Sequence, residues 1–332
     1  METTVITVAL DWTPNTNHSG FFVAQADGLY AAAGLTVELA SPDAVASGLT
    51  PARQVEAKTA TFAVAPSETA ISFATSDADK PRLVAVAALL QGNTSAICTL
   101  ASSGIDRPAK LAGKRYASYD GRFEDRIVSR MVSNDGGDGA TVDFHRLDFH
   151  AYGDAETTGA GSVVASYLAK GRSDSTWIFP SWEGVLAERA GQELNFFALE
   201  DFDVPYCYSP VLLAHPDRLA DADGAAVTRA FLEATAEGYA RAAKDPAKAA
   251  AALCASGHAS LADAEFVEAS AVSCAPKYLT AGGTWGTMEL PRWEAFVDFL
   301  GESGILTDRA GTPIPRETVD ASGLFDTSYL PK

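Results

Sequence analysis

The sequence predicts a two-lobed α/β protein in which each lobe is a mostly parallel sheet flanked by helices, and two crossover strands join the lobes. Three observations carry this. Strand and helix patterns alternate from residue 5 to residue 199, as in sheets covered by helices on both faces. The chain has 332 residues, more than the roughly 250–300 at which a single hydrophobic core stops growing. Two runs, Leu83–Leu90 and Pro205–Ala214, are suited to leave one lobe and return to it. They divide the chain into residues 1–91 with 205–332 and residues 92–204.

The elements follow in order. Val5–Leu10 is a strand, and Ser19–Tyr30 a helix with Phe22, Ala26 and Leu29 at helical spacing, stopped by Gly34. Leu35–Ala40 and Thr61–Ala65 are strands, and Ser67 is the expected N-cap of the helix that follows Pro66. Leu83–Leu90, rich in small and branched residues, suits a buried strand. The second unit has strands at Ser95–Leu100, after Lys114, at Val142–Leu147, Thr176–Phe179 and Asn195–Leu199. Its helices are expected over Glu124–Asn134, Ser162–Lys170 and from Ser181 to near Gly191. The remainder is helical: Ala225–Ala243, a helix opened by Asp245-Pro246, Leu261–Ser273 and Arg292–Gly301. Ligands of open α/β sheets bind beyond the carboxyl ends of the strands, so the residues after each strand are expected to face one shared cleft.

Composition narrows the function. The 43 acidic and 25 basic residues leave a net charge of −18, which repels phosphate backbones and anionic lipid. Nucleic acid is therefore not an expected partner. No apolar run approaches the roughly 20 residues that span a bilayer. Met1-Glu2-Thr3-Thr4 has neither a basic nor an apolar leader segment, so the sequence reads as cytoplasmic, the alternative being export with the leader removed. Cys98, Cys207, Cys254 and Cys274 form no CxxC pair, and the five histidines, His18, His145, His150, His215 and His258, lack metal-ligand spacing. Neither a metal nor a cofactor is expected. Only Cys254 and Cys274 lie close enough in sequence to suggest a disulfide. No nucleophile elbow, P-loop or dinucleotide fingerprint occurs, and no catalytic residue is assigned.

Four stretches carry binding chemistry. Leu10–His18 follows the first strand and offers Asp11, Trp12, Asn15 and His18 in nine residues, more polar equipment than a connector needs. Trp182-Glu183-Gly184 sits at a strand-to-helix junction. There the helix dipole alone would stabilise the acid, but a carboxylate beside an indole also recognises an amino-substituted ring. Tyr206 and Tyr208 share a face if their run is a strand. Tyr119–Glu124 precedes a helix whose free N–H groups could hold an anion, but Asp120 and Glu124 oppose one. Arg122 is the sole cation of these motifs. The expected ligand is thus small, aromatic, and uncharged or cationic.

Together LDWTPNTNHSGFFVAQADGLY (10–30), AGLTVEL (33–39), FAVAPSE (62–68), SWEGVLAERAG (181–191) and TWGTMELPRWEAFVDFL (284–300) resemble the thiamine-precursor branch of the type II periplasmic-binding-protein family. That branch holds formylaminopyrimidine-binding proteins, related alkanesulfonate and taurine binders, and the fungal enzyme that makes the thiamine pyrimidine. The resemblance implies a monomeric solute-binding protein with a hinged cleft, working with an ABC permease if exported. It places Trp12, Asn15, His18, Ser67 and Glu68 on one lobe, Tyr119, Trp182 and Glu183 on the other, and Tyr206 and Tyr208 on the returning crossover. The fungal synthase carries a lysine for pyridoxal phosphate and a histidine four residues on. Val64 and Glu68 stand at those places, and only Cys207 stands where the synthase has a run of cysteines. A valine forms no Schiff base, so synthase activity is not expected. An enzyme of that kind, or an intracellular sensing relative with another ligand, are the alternatives.

Overall fold

The computed structural model describes residues 3–42, 48–76, 80–147 and 163–332. Among the described residues ten strands form two five-stranded sheets. The first holds β1 (Thr4–Ala9), β2 (Leu35–Ala40), β3 (Phe62–Ala65), β4 (Val84–Ala88) and β10 (Val211–Ala214) in the order β2-β1-β3-β10-β4. The second holds β5 (Ala96–Leu100), β6 (Arg115–Ser118), β7 (Asp143–Arg146), β8 (Ser175–Ile178) and β9 (Leu194–Phe197) in the order β7-β6-β8-β5-β9. β1 pairs parallel with β2, Thr4 opposite Leu35 through Ala9 opposite Ala40, and with β3. β10 runs antiparallel between β3 and β4, and β5 runs antiparallel between β8 and β9. The two sheets therefore repeat one plan, with a single reversed strand in each.

Helices α1 (Ser19–Ala26), α2 (Leu29–Ala32), α3 (Pro51–Glu56), α4 (Glu68–Ala74), α5 (Glu124–Asn134), α6 (Val185–Arg189), α7 (Pro216–Ala220), α8 (Ala222–Lys244), α9 (Pro246–Cys254), α10 (Ala264–Cys274) and α11 (Leu290–Glu302) cover the sheets. The period-2 pattern of β3 shows how. Phe62 and Val64 enter the cluster that holds α1 and α8, while Ala63 and Ala65 enter the one that holds α3 and α4. Phe231 of α8 is fully buried and stacks on Phe62 at 4.8 Å, Tyr30 at 5.5 Å and Phe21 at 6.2 Å. The backbones of α1 and α8 cross closely because Gly20 and Gly238 face each other. A Cβ on Gly238 would lie 2.2 Å from the Gly20 carbonyl oxygen, and one on Gly20 would lie 2.0 Å from the Tyr239 ring.

Five local expectations are corrected. The helix expected over 19–30 is two helices, because Gly28 takes a left-handed conformation, φ 71°. Helical residues from Ser181 onward begin as a π-helical turn, Pro180–Gly184, before α6; a second π-helical turn, Val164–Leu168, stands where a helix from Ser162 was expected. The strand expected over 205–214 is ordered as strand only from Val211; prolines at 205 and 210 remove ladder donors. Ser67 does not cap α4. Its own backbone is helical, and its hydroxyl instead accepts from Tyr208 N–H at 3.1 Å while its N–H donates to Tyr208 O at 3.0 Å. His150 and the start of the 162–170 segment lie outside the described residues. All four cysteines are free thiols.

Candidate functional site

A cavity of about 950 Å³ opens where the two sheets point their strand ends at each other. Asp11, Trp12 and Asn15 reach it from the loop after β1, and Glu68 from the turn after β3. From the other sheet come Tyr119 and Glu124 after β6, and Trp182 and Glu183 after β8. Tyr206 arrives from the returning crossover. These nine of the twelve residues singled out in the sequence line one space. Trp12 and Tyr119, on opposing sheets, meet edge to face at 5.7 Å.

The other three residues do not line it. His18 is fully buried and acts on its neighbours: Nδ1 accepts from Asn15 N–H at 3.3 Å, and Nε2 lies 2.9 Å from Asp11 Oδ1. With Nδ1 accepting, Nε2 carries the proton and donates, which fixes the Asp11 carboxylate. Ser67 ties the crossover to α4 as described above. Tyr208 is drawn under α11, its ring 6.2 Å from Trp293 and beneath the Arg292 guanidinium, its oxygen accepting from Glu289 N–H. Outside a strand, Tyr206 and Tyr208 no longer share a face, so one reaches the cavity and the other the core.

Asn15 lends its amide to the loop. Its Oδ1 accepts from Asn17 N–H and its Nδ2 donates to Thr13 O, each at 2.9 Å. Glu183 Oε2 accepts from Phe179 N–H at 3.0 Å, which sets the carboxylate at the mouth of the π-helical turn. Burial pushes Glu183 up to about 7, and the nearby Asp11 charge adds to it. Glu124 is also pushed up to about 7 by burial, against three donors: Tyr119 N–H, Gly121 N–H and Tyr116 O–H. Burial and then the charge of Glu124 lift Glu68 to about 8, the Tyr206 hydroxyl opposing them.

Arg122 lines the cavity but spends its guanidinium across the cleft, on Ser72 O and Oγ, each at 2.9 Å, and on Thr307 O. On the opposite side Trp182 packs edge-on against Phe266 of α10 at 4.5 Å, and Arg189 pairs with Asp263. The two sheets are thus held together from both flanks of the cavity.

Sequence reasoning missed Trp177, Phe179 and Arg309, which also line the space. Trp177 carried a readable signal. It is an aromatic residue at the carboxyl end of a strand, the position from which cleft residues are expected. Arg309 sits in a C-terminal loop with no pattern to mark it. Among the described residues no cluster of acids, histidines and cysteines fits a metal. Among the described residues no lysine lines the cavity, and Val64, on its wall, has no amine for pyridoxal phosphate, so the cofactor of the synthase does not fit these residues.

Residues 15–249 match the family described as NMT1/THI5 like. The chain belongs to the NMT1/THI5-like family. It is 26% identical over 234 residues to the formylaminopyrimidine-binding protein of Halalkalibacterium halodurans, a match covering 70% of this chain and 65%, just under two thirds, of that relative. A solved structure from Bordetella bronchiseptica RB50 superposes with a TM-score of 0.71 at 16% identity, covering 99% of this chain and 96% of the other. The alkanesulfonate-binding protein of Xanthomonas axonopodis pv. citri, bound to MOPS, superposes with a TM-score of 0.64 at 13% identity, covering 93% and 96%. This NMT1/THI5-like chain therefore has the two-lobed type II periplasmic-binding-protein fold; the formylaminopyrimidine and alkanesulfonate relatives are binding proteins, while the desulfurization enzyme DSZB also superposes, with a TM-score of 0.57 at 14% identity, covering 95% of each chain.

Proposed function

We propose that the chain is a solute-binding protein whose lobes, residues 1–91 with 205–332 and residues 92–204, close on a small ring bearing amino groups, of the amino-pyrimidine kind. The single observation that carries this is Glu183 and Asp11 facing one aromatic-walled cavity beside Trp12 and Trp182. Carboxylates accept from amino groups and the indoles cover an aromatic face. About 950 Å³ falls within the 300–1,000 Å³ typical of small-molecule sites. An anionic ligand is disfavoured: Arg122 Nη1 and Nη2 donate to Ser72 and Thr307, Arg53 pairs with Glu56, and Asp11, Glu68, Glu124 and Glu183 all line the space. Ligand binding shifts the lobes towards the closed form through its contacts with both. The chain acts as a monomer outside the cytoplasm, delivering its solute to an ABC permease. These last points rest on the family resemblance. No described helix is long and apolar enough to cross a membrane.

The test is calorimetric titration and thermal shift with 4-amino-5-hydroxymethyl-2-methylpyrimidine, formylaminopyrimidine, thiamine and MOPS. Amino-pyrimidines should raise the melting temperature and MOPS should not. Glu183→Gln should weaken the amino-pyrimidines by the worth of a charge-assisted hydrogen bond, about 1.5–3 kcal/mol. Unchanged affinity in that variant removes Glu183 from the contact, and stabilisation by MOPS alone replaces the reading with a sulfonate one.

A further inference from the structure

We propose that the corner of the cavity built by Glu68, Glu124, Tyr206 and Trp177 receives a positively charged group of the ligand, separate from the amino-bearing ring placed at Asp11 and Glu183. It deepens the proposed function and rests on the cavity being a solute site.

Six described acids line the cavity; Asp120 pairs with Arg146 and Asp308 accepts from N–H groups of its own loop, and the other four fall into two pairs, each with one member from each sheet. Asp11 and Glu183 form one pair, close enough for the Asp11 charge to be felt at Glu183. Glu68 and Glu124 form the other. They lie on either side of Gly121: a Cβ there would be 3.2 Å from Glu124 Oε2 and 3.3 Å from Glu68 Oε1. Glu124 is held as an acceptor, taking Tyr116 O–H and Tyr119 N–H on Oε1 and Gly121 N–H on Oε2. Glu68 sits beside the Tyr206 hydroxyl, and its Oε2 is buried with no hydrogen-bond partner. A buried carboxylate oxygen left open beside a second acid is costly.

Among the described residues no cation is paired with Glu68: Arg53 pairs with Glu56, and Arg309 donates to Ser76. Arg122 gives its donors to Ser72 and Thr307, and Arg126, which also lines the space, is solvent-exposed. The walls suit a cation in another way. The rings of Trp177 and Tyr206 lie 5.3 Å apart at 65° and both border the cavity, the kind of aromatic surroundings that hold ammonium groups. Closing the lobes without a ligand brings Glu68 and Glu124 together in a poorly hydrated place, so one of them has to keep a proton. A cationic group takes over that role, gains Glu68 Oε2 as an acceptor, and makes closure selective for a charged ligand over its neutral analogue.

Two matched probe pairs test this by calorimetry on the whole chain. The first is 4-amino-5-aminomethyl-2-methylpyrimidine against its 5-hydroxymethyl analogue. The second is benzylammonium against benzyl alcohol, which lack the amino ring. The ammonium member should bind about tenfold tighter or more, and the ratio should fall towards one in Glu68→Gln while surviving in Glu183→Gln. Should the Glu68→Gln chain fail to fold, Glu124→Gln carries the same comparison. An ammonium preference in the benzyl pair alone keeps the cation corner and retires the amino-pyrimidine reading. Equal affinities within every pair that binds, a ratio that survives both glutamine variants at the corner, or no binding by any of the four at millimolar concentration overturns the inference.

Discussion

Between pH 4.5 and pH 8.5 the unliganded protein should lose stability relative to its Glu68→Gln variant, on the order of 2–4 kcal/mol. The Glu68 carboxyl has an ordinary value of 4.5 and is lifted to about 8 in the folded chain. The sign follows from proton counts. Below 4.5 folded and unfolded chains both hold the proton, and the folded form bears no penalty. Between 4.5 and about 8 the unfolded chain gives the proton up while the folded one retains it, so each rise in pH favours unfolding. Above about 8 the folded chain holds a buried charge beside Glu124, and the loss is complete. Glutamine keeps the shape and the neutral form at every pH, so comparison with Glu68→Gln cancels the other titrating groups. Denaturant midpoints for both chains at pH 4.5, 6.5 and 8.5 supply the measurement, and a difference that stays flat over that range contradicts the buried-acid account. Glu124 and Glu183, each lifted to about 7, add to the wild-type trend over a lower window.

Phe231→Ala should cost about 3–5 kcal/mol. The ring lies fully buried at the centre of a stack with Phe62, Tyr30 and Phe21, so its removal strips one face from three aromatic neighbours at once. The site cannot collapse to fill the gap, because α8 is already as near to α1 as the Gly20–Gly238 contact allows. Urea unfolding followed by tryptophan fluorescence would show the loss as a lower midpoint. A change below about 1 kcal/mol would mean that α8 repacks, contrary to the rigid crossing described here.

Much of this molecule is legible without coordinates, for identifiable reasons. β2 and α5 sit where hydrophobic spacing places them, Leu35–Ala40 and Glu124–Asn134, because short elements bounded by glycine, proline or polar residues have few alternative boundaries. Eight of the nine cavity residues follow from one topological rule, that strand ends converge on the cleft; Tyr206, ahead of β10, comes from the returning crossover. What escaped depends on tertiary contacts. Ser67 reads as a cap in isolation, but Tyr208, distant in sequence, claims its hydroxyl. Tyr206 and Tyr208 read as partners until the prolines around them break the strand. His18 reads as a cavity group because its distance from the surface is invisible in a string; it serves instead by holding Asp11. The pairing of Glu68 with Glu124 across Gly121 joins residues from two sheets, and no local pattern could announce it.

The position of β10 has one further consequence. All strands of the second sheet come from an unbroken stretch of chain, residues 96–197, whereas the first sheet is closed only when Val211–Ala214 slots between β3 and β4. Translation therefore finishes the inner half before the outer one. A chain truncated after residue 204 would expose two raw strand borders in the middle of a sheet, an invitation to self-association. A slightly longer chain made by excising 92–204 and splicing the flanks would leave neither border bare. Solubility of the two deletions should differ accordingly, and the reason is the order of threading rather than the amount of core removed.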